Sequence, residues 1–61
     1  MLNKIHILTK NVEITIDINI ARKMLRVAGI SSVNTMTDEE IFEKALKMNE
    51  EYGVTSVIRE P

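Results

Sequence analysis

The sequence predicts a small α+β domain, a β-hairpin and a C-terminal strand packed with two helices, that associates as a dimer. Three observations carry this reading. Val12, Ile14, Ile16 and Ile18 alternate with Glu13, Thr15 and Asp17, the period of two that marks a half-buried strand. The stretch "TDEEIFEKALKMNEEYG" spaces its apolar residues at the helical period. The chain has 61 residues and no cysteine. A domain of this size buries only about 60% of the surface its unfolded chain exposes, so without disulfides it gains from a second subunit.

The elements follow in order. "KIHILT" sets Ile5 and Ile7 against Lys4, His6 and Leu8, a second strand pattern. Lys10-Asn11 is a two-residue hairpin turn, with Asn11 expected to take the positive φ. In "NIARKMLRVAG", Ile20, Met24 and Val27 or Ala28 form one helical face, while Arg22, Lys23 and Arg26 form the other. Asn19 is placed to cap the start and Gly29 to follow the end. "ISSVNTM" reads as a loop held down by Ile30, Val33 and Met36.

The second helix has the clearer signals. Thr37 and Glu40 have the spacing of a capping box, and Asp38 and Glu39 suit the positive end of the helix dipole. Ile41, Phe42, Ala45, Leu46 and Met48 or Asn49 make its stripe, Met36 can staple its start, and Gly53 is expected to end it. "VTSVIRE" is rich in β-branched residues and reads as a strand. Ile14, Ile16, Met24, Ile41, Phe42, Ala45, Leu46 and Val57 are the expected core of one domain spanning residues 1–61.

Composition narrows the chemistry. Without cysteine there is no thiolate metal site, and with His6 as the sole histidine a metal would rest on carboxylates. His6 falls at an outward strand position, the serines stand in no motif with a base, and Gly29 and Gly53 are isolated. The expectation is no enzyme, no cofactor and no metal. No apolar run has the length of a membrane span and the N-terminus lacks a signal-peptide core, so the expected location is cytoplasmic, away from membranes. Residues 1–30 carry five cations against two carboxylates, and residues 31–61 three against seven, so a net charge of −1 conceals a bipolar chain.

The run "VEITIDINIARKMLRVAG" followed by "TDEEIFEKALKMNEEYG", about residues 12–52, resembles the ribbon-helix-helix repressors and antitoxins. That resemblance implies two chains pairing their strands into a ribbon that enters the major groove of DNA. By position Glu13, Thr15 and Asp17 would then face the bases. Thr15 and the cationic Arg22, Lys23 and Arg26 are the candidate nucleic-acid contacts. Two of the three outward strand residues are acidic, and Asp38, Glu39 and Glu40 stand where a helix N-terminus would approach phosphate. Both features oppose the electrostatic term that dominates DNA affinity.

A protein partner accounts for more of the chain. Glu39, Glu43, Lys47 and Glu50 lie on the polar face of the second helix and are the candidate protein-binding residues. "KIHILT" or "VTSVIRE" could offer an edge strand. The preferred expectation is a small regulatory or inhibitory protein, of the kind phage or mobile-element genes encode. It would act through protein contacts and as a homo-oligomer. A ribbon-helix-helix regulator or antitoxin is the alternative.

Overall fold

A hairpin begins the fold, and its register decides which residues become core. The computed structural model describes residues 2–61. In it β1 (Lys4–Thr9) pairs antiparallel with β2 (Glu13–Asp17), setting Ile5 opposite Ile16 and Ile7 opposite Ile14. All four side chains therefore point to one face. β3 (Val54–Glu60) returns along the other side of β1, also antiparallel, with Val57 opposite Ile7. The three-stranded sheet has the order β2-β1-β3, which makes β1 central and leaves β2 and β3 as edges.

The hairpin turn is closed by a side chain. Thr9 N–H donates to Val12 O at 3.0 Å, but Val12 N–H returns to the Thr9 hydroxyl oxygen, at 3.0 Å. The same hydroxyl donates to Val12 O at 2.9 Å. With these bonds the turn needs no left-handed residue, and Asn11 does not adopt positive φ as the sequence suggested.

Strand β2 runs directly into α1 (Ile18–Val27). The cap is Asp17, not Asn19: Asp17 is extended and its Oδ1 accepts from Ile20 N–H at 2.8 Å. The carboxylate that ends the strand thus starts the helix, with no residue between them. At the far end Gly29 adopts φ 85°, and Gly29 N–H and Ile30 N–H return to Arg26 O and Leu25 O, each at 3.0 Å. These two bonds are a Schellman closure, which a left-handed glycine makes easy.

The face of α1 turned to the core also differs from the expectation. Ala21 and Leu25 are fully buried, whereas Ile20 is 48% and Val27 82% exposed. Helix α1 carries two adjacent apolar stripes, Ile18-Ala21-Leu25 and Ile20-Met24-Val27, and periodicity alone does not choose between them. The loopless junction at Asp17 sets the phase and turns the first stripe inward.

Residues Ser31–Thr35, expected as loop, form a 3-10 turn, and Val33 within it is buried. Ile30 and Met36 on either side pack against the core. Helix α2 (Asp38–Met48) opens with the expected capping box. Glu40 N–H donates to Thr37 Oγ1 at 3.2 Å, and Thr37 N–H to Glu40 Oε1 at 3.1 Å. Ile41, Phe42 and Ala45 are buried. The α-helix stops at Met48, short of Gly53. Asn49 caps it, buried with its Nδ2 donating to Ala45 O at 2.8 Å. A 3-10 turn (Glu50–Tyr52) then reaches Gly53, whose φ of 74° turns the chain into β3.

Both helices cover one face of the sheet. Helix α1 packs on β2 and α2, while α2 lies toward β3, with Phe42 and Leu46 beside Ile5 and Val57. The core is Ile5, Ile7, Ile16, Ala21, Leu25, Val33, Ile41, Phe42 and Ala45. Of the expected core, Ile14, Met24, Leu46 and Val57 are half-buried against it.

The phase of α1 is open to measurement by urea unfolding. Leu25→Ala is expected to cost about 2–5 kcal/mol, most of the stability of a domain this small. Val27→Ala is expected to change stability by less than about 0.5 kcal/mol. Equal losses would mean that α1 turns a different face inward.

Candidate functional site

The β1–β2 register places the backbone groups of the odd-numbered β1 residues toward β2, since Thr9 N–H reaches Val12 O and Ile18 N–H reaches Asn3 O. The even-numbered residues Lys4, His6 and Leu8 therefore face β3 and meet Glu60, Ile58 and Ser56. It follows that Val57 and Arg59 direct their backbone N–H and C=O groups outward, along the free edge. A bulge at Thr55, whose Oγ1 donates to Leu8 O at 3.1 Å, bends only the start of the strand.

Beside this edge, on the helical side of the sheet, runs a groove of about 320 Å³. Leu2, Ile5, Phe42, Leu46 and Val57 make its apolar lining, and Glu39, Glu43 and Arg59 stand around them. The charged side chains follow from the two elements: Glu39 and Glu43 are one turn apart on α2, and Arg59 takes the inward parity of an edge strand. Arg59 Nη2 donates to Glu43 Oε1 at 3.3 Å, a bridge between two exposed groups. Glu39 makes no ion pair among the described residues. Two carboxylates against one guanidinium leave the rim negative.

The candidate protein-binding residues are brought together in part. Glu39 and Glu43 meet at the groove, and both border a shallower depression on the outside of α2 with Met36, Glu40, Lys44 and Lys47. Glu50 lies past the helix end, exposed in the 3-10 turn. Val57, Phe42 and Leu46 belong to the expected core, and no local pattern singles out Arg59. Their part in the groove depends on how α2 sits over β3, which no local pattern encodes.

The candidate nucleic-acid residues are divided between two layers. Thr15 lies on the open face of the sheet, where its Oγ1 is 3.1 Å from His6 Nδ1. The cations are on α1, across the sheet. Arg22 Nη2 donates to Asp38 Oδ1 at 3.1 Å and ties α1 to the start of α2. Arg26 Nη2 donates to Asn34 Oδ1 at 3.2 Å. Lys23 is exposed and makes no ion pair among the described residues.

His6 occupies the middle of the open face. It bonds Thr15 of β2 through one ring nitrogen and the Glu60 carboxylate of β3 through the other, a strap across all three strands. The bond from His6 holds the Glu60 carboxyl below the usual glutamate range, and the His6 and Lys4 charges act the same way. Glu40 is lowered too, chiefly by the Thr37 N–H that donates to it. No helix among the described residues is long and apolar enough to cross a membrane.

Outward main-chain groups, an apolar floor and a negative rim thus lie together at one flank of the molecule. Compared with protein-family models, with curated proteins and with solved structures, the chain matches none.

The two lowered carboxyls give stability a pH dependence of definite sign. A group whose pKa is depressed by folding contributes fully above its unfolded value, and the contribution disappears as pH falls through the folded value. Thermal unfolding followed by circular dichroism is therefore expected to show a midpoint that falls as pH drops below the ordinary glutamate range. Glu60→Gln and Glu40→Gln should each flatten that fall, and an unchanged profile in both would contradict the two contacts.

Proposed function

We propose that this chain is a small non-enzymatic regulatory or inhibitory protein that docks on another protein through the α2 flank bearing Glu39 and Glu43. The observation that carries this reading is the coincidence of three features at one place. An apolar groove, an unpaired strand edge and a negative rim lie side by side. Apolar surface supplies affinity once water is excluded, while the carboxylates steer encounter toward a basic partner and reject acidic ones. Lys47 and Glu50 stand farther out and serve as rim contacts.

Self-association fits the opposite edge. Arg22 marks the side of α1 that faces α2, so exposed Ile20 and Val27, with half-buried Met24 between them, lie on the other side of the helix, toward the free edge of β2. Val12, 55% exposed at the start of that edge, extends the apolar strip. A second copy would cover this strip about a two-fold axis.

The alternative, a ribbon-helix-helix regulator or antitoxin, would use the same free edge, where Glu13, Thr15 and Asp17 face away from the helices. But β1 already pairs Ile14 and Ile16 with Ile7 and Ile5 within the chain, and that pairing opposes an intermolecular ribbon. Glu13 and Asp17 still oppose phosphate, Asp17 caps α1, and Arg22 is engaged by Asp38. The protein-directed reading is therefore preferred.

Affinity capture from lysate of the source cell, with and without nuclease, tests the choice. One protein is expected to survive nuclease and to be lost when the bait carries Glu39→Lys with Glu43→Lys. Undiminished capture by that doubly reversed bait would remove the acidic flank from the reading. A defined DNA fragment, lost on raising the salt, would install the alternative. Light scattering tests the dimer separately: the native chain is expected to have twice the monomer mass, and Ile20→Lys with Val27→Lys to restore the monomer. A monomeric native chain would reject the two-fold.

A further inference from the structure

The groove and the strand edge are not two features but two halves of one receptor. An extended chain laid against the outward backbone groups of Val57 and Arg59 would continue the sheet by one strand. Every second side chain of that strand would then point to the helical side, into the space beneath Glu39 and Glu43. We infer that the partner binds as an added β-strand on β3, with an aliphatic side chain facing the Phe42, Leu46 and Val57 floor and lysine or arginine at the neighbouring inward positions. This rests on the protein-directed reading above and specifies its geometry and chemistry.

The charges choose this occupant over a second copy. Two β3 strands paired about a two-fold would bring two acidic α2 flanks together, four carboxylates against two Arg59 side chains. A basic strand instead neutralises the rim, and Glu39, which has no ion pair within the described chain, gains one. The edge is shaped for one strand and not for open-ended growth. The Thr55 bulge bends its beginning, Arg59 places a charge on its inward side, and Pro61 closes it. The straight part from Ser56 to Glu60 is long enough for a short segment. On the open face the incoming strand would also cover Ile58, which is 51% exposed.

The test uses the full chain and a defined probe, the blocked peptide Thr-Lys-Thr-Val-Thr-Lys-Thr, whose inward positions are Lys, Val and Lys. Its companion carries glutamate in place of both lysines. In amide NMR spectra the lysine peptide is expected to shift Val57 and Arg59 and to protect their amides from exchange. It should bind at least about tenfold more tightly than the glutamate peptide. Proline separates backbone pairing from side-chain contact. Arg59→Pro removes an N–H that faces solvent and leaves the β1–β3 ladder whole, whereas Arg59→Ala removes the side chain alone. Binding is expected to persist in Arg59→Ala and to weaken at least about tenfold in Arg59→Pro.

Equal binding by these two variants, equal binding of the two peptides, or no shift along β3 would each overturn the strand-addition inference. None of those results touches the capture of a protein through Glu39 and Glu43, which stands or falls on the lysate experiment.

Discussion

Everything in this fold hangs on the pairing of β1 with both of its neighbours at once. Ile5 and Ile7 are the residues that hold sheet and helices together: they face Ile16 and Ile14 on one side and Arg59 and Val57 on the other, and are covered by the helices. Burying two isoleucines completely removes a large share of the apolar surface that so short a chain can remove. The remaining elements are arranged so that this strand stays covered. The 3-10 turn contributes Val33, α1 contributes Ala21 and Leu25, and α2 contributes Ile41, Phe42 and Ala45.

A consequence of placing the central strand first is that both edges of the sheet are left to later parts of the chain, and the two edges differ. The β2 edge lies under an uncharged strip of α1, while the β3 edge lies under a negative flank of α2. Like surfaces suit a two-fold and unlike surfaces suit a heterologous partner, and this asymmetry is what the proposed dimer and the proposed partner would each draw on.

Much of the fold was legible because its signals are local. The alternation through Val12–Ile18, the Thr37/Glu40 cap, Gly29 after the first helix and the β-branched run of β3 each depend on residues a few positions apart. The structure departs from the local rules where a rule has two solutions. Asn19 and Asp17 are both competent caps, and the extended geometry at the end of β2 selected Asp17. Asn11 is a reasonable left-handed residue, but the Thr9 hydroxyl made one unnecessary. Gly53 ends a helical path, though its last turn is 3-10. The site was less legible. Glu39 and Glu43 could be chosen from the helix face, whereas Leu2, Ile5 and Val57 in the floor and Arg59 beside them come from chain segments more than ten residues away.

The loopless passage from β2 to α1 shows how narrowly the architecture is chosen. One extra residue after Asp17 would rotate α1 by about 100°. Ile20, Met24 and Val27 would then take the places of Ala21, Leu25 and Ala28. Both stripes are apolar enough to serve, so hydrophobicity does not decide between these two versions of the molecule. The junction decides, and size enforces its choice. Ala21 is wholly enclosed, and an isoleucine in its place would have to push the helix off the sheet. A single methyl side chain therefore acts as a check on the reading frame that the junction sets, leaving no room for the other of two apolar interiors.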